Sequence, residues 1–203
     1  MNCNGASFSA WAVGVQQPGK VHSMNHSGYT EAMAPRRDYC GQTCSLSKTL
    51  EIVGERWTLL IIRDAFLGVH RFGDFAAHLG LPRAVLINRL KSLVAADVLE
   101  RADDDSAGYR LTEKGLSLWP VVGVLNMWGE QHYAPEGPRS LLTHAADDAM
   151  LDPFGRCTSC NQLVDVHDVI LSPGPGLEQA PPDADPVTAA LMHPHRMLQP
   201  LPA

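Results

Sequence analysis

Three groups of residues have the types and spacing to do chemistry. Cys157-Thr158-Ser159-Cys160 places two thiols three residues apart, which is half of a zinc knuckle. With His144 upstream and His167 downstream it would complete a His₂Cys₂ set. The same pair also fits a simple dithiol or a relic whose metal is lost. Cys44, with Cys40 four residues before it, precedes a predicted helix. The positive end of a helix lowers a thiol pKa and favours thiolate chemistry. A small buried residue packing an interface is the other reading of Cys44. The third group is Arg83, Asn88 and Lys91, on the outer side of a predicted helix. Those side chains can reach base edges and phosphates in a DNA major groove. They fit an ordinary solvated surface equally well.

The elements that would position these groups are set by apolar spacing. Leu86, Leu90, Leu93 and Val94 form one face of a helix that Pro82 opens. Before it, Phe72, Phe75, Ala76 and Leu79 face inward from a shorter helix ended by Gly80. Two short helices joined by a Gly-containing turn make the helix-turn-helix pattern. Upstream, Ser45 or Ser47 is the expected cap of a helix bearing Leu46, Leu50 and Val53, closed by Gly54. Trp57 to Phe66 is apolar nearly all round and predicts a buried central helix. Val69 to Phe72 is expected as a short edge strand. Val98–Ala102 and Tyr109–Thr112, joined by a turn-rich DDDSAG, predict a β-hairpin. Thr112 caps another helix, lined by Leu116, Trp119, Val122, Leu125 and Trp128, with Pro120 either kinking it or dividing it in two. A stripe this apolar calls for a second surface, most simply the same helix of another subunit.

The chain has 203 residues, 45% of them hydrophobic, and a net charge of −6. It can bury a core but carries no blanket cationic coat for nucleic acid. No apolar run approaches the length of a membrane span. Phe8–Val15 is apolar but lacks a basic region before it, so it is a poor secretory signal and the expected location is cytoplasmic. Five cysteines are too few and too unevenly placed for a secreted disulfide scaffold. Residues 1–35 read as a disordered leader containing Trp11; His22 and His26, four apart, could share a helix face and bind metal but read as surface histidines in this Gly/Ser setting. Residues 36–134 form the main domain and 135–171 a small tail module in which VDVHDVIL is a strand. The Pro-rich 172–203 is expected to be disordered.

This order of elements resembles the HxlR-type winged-helix transcriptional regulators, relatives of the MarR class. The resemblance covers about residues 39–133. It rests on Cys44 before the first helix, Gly54-Glu55-Arg56-Trp57-Thr58 with LLII after it, and Gly68 with Arg71-Phe72. It also rests on LINRLKSL from Leu86 and on Tyr109-x-Leu111-Thr112-x-x-Gly115. It implies a mainly α, dimeric winged helix-turn-helix fold that binds operator DNA, as a repressor, under control of a small-molecule or oxidant effector. By the family pattern Arg83 and Asn88 are base-edge candidates, while Arg89 and Lys91 hold phosphates. Some relatives sense oxidants through a cysteine placed like Cys44.

One departure concerns the wing, whose tip is Asp103-Asp104-Asp105 where phosphate contact would favour Lys or Arg. From Ser45 to Tyr133 there are ten Lys/Arg and eleven Asp/Glu. Either the wing points away, with Arg101 and Arg110 at its base making contact, or affinity is modest and salt-sensitive. No G-x-S-x-G, phosphate loop or HExxH occurs, so an enzyme is not expected. Zinc in the tail is the only cofactor the residues suggest. Two alternatives remain open. One is a redox- or zinc-responsive regulator switched through Cys44 or the CxxC tail. The other is a dimerisation or adaptor module that binds no DNA.

Overall fold

The computed structural model describes residue 39 and residues 42–102 and 108–201. The expected leader (1–35), Cys40 and the acidic wing tip 103–105 lie outside the described residues. The described residues pack as one unit. Its first part is a winged helix: α1 (Ser45–Val53), α2 (Thr58–Phe66), α3 (Phe72–Leu79), α4 (Arg83–Ala95), β1 (Leu99–Arg101) and β2 (Tyr109–Leu111). Then come α5 (Glu113–Leu116) and α6 (Trp119–Tyr133). The remainder forms β3 (Ser140–His144), β4 (Val169–Pro173), α7 (Pro186–Ala190) and β5 (His195–Arg196). The wing is an antiparallel pair with Glu100 opposite Arg110, and the second sheet is antiparallel in the order β3-β4-β5.

Helix α2 is the centre of the core. Ile61, Ile62 and Phe66 are fully buried against Phe75 of α3 and Leu86, Leu90 and Leu93 of α4. One charged side chain is buried with them. Asp64 accepts from Arg63 Nε and Nη2 at 2.9 and 2.6 Å, and its other oxygen lies 2.8 Å from His78 Nδ1. A carboxylate out of water needs such partners, and the pair with His78 ties α2 to α3. The turn into α2 holds Trp57 in the left-handed region, φ 79°, with the Arg56 guanidinium 5.1 Å from its ring centroid. That conformation is costly for a bulky residue.

Several local expectations are corrected. Cys44, not Ser45 or Ser47, is the N-cap of α1; the Ser47 hydroxyl donates to the Cys44 carbonyl at 2.6 Å instead. Leu46 and Val94 are exposed, so each apolar stripe is narrower than its spacing implied. Val69–Phe72 is not a strand, because Phe72 already begins α3. That segment still receives the wing: Tyr109 N–H donates to the His70 carbonyl at 2.7 Å, and a Cβ on Gly108 would strike the same oxygen. Pro120 divides two helices, standing in the first turn of α6, where a missing N–H costs nothing. The Thr112 cap is as expected, its hydroxyl accepting from Gly115 N–H at 3.0 Å.

The larger correction is at the C-terminus. VDVHDVIL opens with a 3₁₀ turn, Val166–Asp168, and only Val169 onward is strand. Residues 172–201 are ordered rather than disordered. Asp185 caps α7, which packs on α3, and Val187 and Met197 are buried. The segment closes on α2: Leu198 N–H donates to the Phe66 carbonyl at 2.8 Å, and Gly68, at φ +89°, leaves room for the Gln199 carbonyl. This Pro-rich segment is ordered because it docks Val187, Met197 and the Leu198 backbone on a core that already exists.

Candidate nucleic-acid interface

Helix α4 comes after the turn at Gly80, whose φ of +60° suits a residue without a side chain. Its inner face is fully occupied by Leu86, Leu90 and Leu93. At about 100° per residue, the opposite face carries Ala84, Asn88 and Lys91, all exposed. Arg83 is also exposed but lies to one side, its guanidinium 4.7 Å over the Phe72 ring. That stacking fixes the direction of the side chain at the mouth of the turn. Arg89 lies on the other flank, next to the core. It is partly buried and paired with Glu55 at 3.1 Å, while its Nε makes no hydrogen bond. The structure thus brings Asn88 and Lys91 onto one outward stripe with Arg83 beside them, and leaves Arg89 engaged with the turn before α2.

The wing arginines are occupied differently. Arg110 pairs with Glu100 across the strands at 3.6 Å, an exposed pair worth little. Arg101 donates to the Tyr109 hydroxyl at 3.1 Å, and that bond holds its guanidinium still more firmly protonated. Two residues were missed. Arg71 is the exposed N-cap of α3, the first helix of the helix-turn-helix, with no salt bridge among the described residues. The motif Arg71-Phe72 is visible in the sequence, but it falls in the stretch expected as a strand. Ala84 is a small apolar residue on the outward stripe, of the kind that meets a thymine methyl.

Cys44 is exposed at the start of α1, and the backbone N–H groups of Ser47 and Leu46 hold its thiol below the ordinary value. In the tail, His144, Cys157 and Cys160 come together, but His167 does not join them. It is exposed and its Nδ1 lies 2.6 Å from Asp165. Asp147 stands with the other three instead.

Helix α6 leaves an apolar stripe uncovered: Val121, Val124, Leu125 and Trp128 are 43 to 53% exposed, at spacings of three, one and three. Beside it a cavity of about 550 Å³ opens between α2, α6 and the C-terminal part, lined by Leu60, Phe66, Trp119, Leu171 and Met192, with Arg63 and Arg139 among its polar groups. Among the described residues no helix is long and apolar enough to cross a membrane.

Residues 52–137 match the model of the HxlR-like helix-turn-helix family. An HTH-type transcriptional regulator of Mycobacterium tuberculosis (strain ATCC 25618 / H37Rv) is 42% identical over 139 residues, covering 66% of this chain and 88% of that protein. The HTH-type transcriptional regulator YodB of Bacillus subtilis is 28% identical over 95 residues, covering 44% of this chain and 85% of YodB. The solved structure of the redox regulator HypR in its oxidized form is 26% identical, with a TM-score of 0.41, and covers 44% of this chain and 97% of that one.

Proposed function

The chain belongs to the HxlR-like helix-turn-helix family of transcriptional regulators, and from that premise we propose that it binds operator DNA as a homodimer and represses transcription there. The observation that carries this reading is the two-sidedness of α4. Its leucine face is spent on the core, while Ala84, Asn88 and Lys91 face solvent with Arg83 beside them, and Arg71 is exposed at the start of α3. In the groove, Asn88 reads a base edge and Ala84 lies against a neighbouring base. Arg83 reaches the edge from the turn, and Lys91 and Arg71 hold phosphates. Arg89 contributes by fixing α4 against Glu55, and the wing contributes Arg101 more readily than the paired Arg110. Two-fold symmetry sets two copies of α4 about one DNA turn apart.

The dimer is supported by α6. Val121, Val124, Leu125 and Trp128 recur as the seam of a helix pair, and exposing them all in water is unfavourable. An effector would enter the cavity beside that seam, where it could alter the spacing of the two α4 helices. A second reading is favoured by Cys44: an exposed thiol of lowered pKa at a helix start is suited to oxidant sensing.

The test is fluorescence anisotropy of the reduced protein against the DNA upstream of its own and neighbouring genes, at two salt concentrations. Saturable binding to one fragment, weakening with salt, is expected. Arg83→Ala with Lys91→Ala should weaken that binding at least about tenfold and flatten its salt dependence by about one unit of slope. Unchanged binding would remove the α4 assignment, and no preference over random DNA by a folded dimer would favour the adaptor reading. Persistence of peroxide-sensitive binding in Cys44→Ser would exclude Cys44 as sensor.

A further inference from the structure

Two five-residue turns in the C-terminal part are built alike. One is His144-Ala145-Ala146-Asp147-Asp148, the other Cys157-Thr158-Ser159-Cys160-Asn161. In each, the fifth residue is left-handed: Asp148 at φ 55° and Asn161 at φ 58°. In each, its N–H returns to the carbonyl of the first residue, at 2.8 Å in one turn and 2.9 Å in the other. In each, the first residue's N–H donates at 2.9 Å to the carbonyl five positions on, His144 to Ala149 and Cys157 to Gln162. The two turns are bound together by the Leu151–Cys157 bridge and by Thr158 N–H on the Met150 carbonyl at 3.0 Å. The consequence is that residues one and four of both turns point at one place.

Their donor atoms, from His144, Asp147, Cys157 and Cys160, all lie within 4.8 Å of one another. His144 Nδ1 is 3.3 Å from Asp147 Oδ1 and 3.8 Å from Cys160 Sγ, and Cys157 Sγ is 3.5 Å from Asp147 Oδ1. With bonds of about 2.0 to 2.3 Å, a tetrahedral zinc ion has ligand–ligand edges of about 3.3 to 3.8 Å. These three separations already match such edges, and the remaining pairs, within 4.8 Å, need to close by no more than about 1.5 Å. Ser159 N–H and Cys160 N–H both point at Cys157 Sγ, at 3.4 and 3.5 Å, the arrangement that supports a metal-bound sulfur. Few side chains are buried here: between residues 144 and 164 only Leu151, Cys157 and Val164. A small, poorly cored loop pair is where a metal cross-link contributes most.

We propose that His144, Asp147, Cys157 and Cys160 bind a structural zinc ion that clasps the two turns. Two thiolates and an imidazole favour zinc over magnesium or calcium. Binding releases the two thiol protons to solvent, and the imidazole coordinates through Nδ1 with its remaining proton on Nε2. A dication offsets three anionic ligands that would otherwise repel one another. The clasp needs nothing from α4 and holds whether or not the protein binds DNA.

The experiment uses the full chain without a histidine tag, kept reduced so that Cys157 and Cys160 cannot pair. Elemental analysis should find about one zinc per chain, and cobalt exchanged into the site should give the thiolate charge-transfer and tetrahedral d–d bands. Cys160→Ser and Asp147→Ala, both at exposed positions, should each lower zinc content to below about a tenth per chain after dialysis. His167→Ala should leave it unchanged. Circular dichroism of each variant separates lost metal from lost fold. Zinc retained by Asp147→Ala, or lost by His167→Ala, would overturn the ligand set. Failure of the reduced, folded protein to take up either zinc or cobalt would overturn the site.

Discussion

Between Val53 and Leu99 the buried residues recur at helical spacing, and each turn of α2, α3 and α4 sends one or two side chains into a shared interior. Between Ser140 and Leu201 they do not. There, burial falls on separated residues such as Leu151, Val164, Val169, Val187 and Met197. The chain between them is held by backbone turns, by Asp152, Asp165 and Asp185 accepting N–H groups, and by edges laid on the winged helix. The first region makes its own core, and the second borrows one. The same contrast separates what each contributes: a rigid frame that aims α4, and a strap that joins α2 and α3 through α7 and Leu198.

Mutations should expose that difference in cooperativity. The largest effect is expected from Phe75→Ala, which empties a fully buried site between helices and should cost about 3 to 5 kcal/mol. Urea unfolding followed by tryptophan fluorescence should shift as one transition, because the strap cannot outlast the surface it lies on.

Asp64→Ala comes next, at about 3 kcal/mol, since it leaves His78 and Arg63 without the carboxylate that they share. It should lower the melting temperature by roughly 6 to 12 °C. The sequence marks Trp57 to Phe66 as a buried helix but gives no sign of how Asp64 within it is satisfied. What made it tolerable is His78, fourteen residues away on another helix, and no local pattern announces such a partner. The leucine positions of α4 and the Thr112 cap were legible because each depends on residues within one turn. The same locality explains the misreading of Val69–Phe72, whose apolar run is satisfied by the core and the wing rather than by a ladder.

The candidate sites divide along the same line. Asn88 and Lys91 face outward as helical spacing requires, whereas the engagement of Arg89 with Glu55 depends on the fold. Asp147 could have been found. Its spacing from His144 repeats that of Cys160 from Cys157, whereas His167 completes a His₂Cys₂ set by residue type alone. In the strap, Asp185-Pro186 is a helix-start signal overlooked among prolines. Val187→Ala, one residue further into α7, should cost about 2 kcal/mol and act mainly on the strap. Hydrogen exchange should rise in residues 186–199 while α4 stays protected. A uniform rise in both regions would mean the C-terminal part is an equal partner in the core. The two caps make a matched pair. Thr112→Ala and Asp185→Ala should each cost about 1 kcal/mol, the former lowering global stability and the latter freeing only the strap, as read by limited proteolysis after residue 172.

The smallest expected effect is a pH dependence confined to the strap. His195 of β5 is largely buried beside Gly68, and its Nε2 makes no hydrogen bond. Burial pushes its pKa below the ordinary value, and the backbone groups of Gln199 and Leu67 offset this only in part. The unfolded or undocked segment therefore takes up a proton first, near pH 6.5. Docking is then at full strength above that pH and weakens as pH falls through the lower folded value. Exchange of the Leu198 amide, which bonds the Phe66 carbonyl, should accelerate between pH 7.5 and 5.5 beyond the intrinsic change, while the α4 amides keep their protection. His195→Gln should remove that difference. If α4 loosens in step with Leu198, protonation is felt by the whole core and the strap is not the separable element its sparse burial indicates.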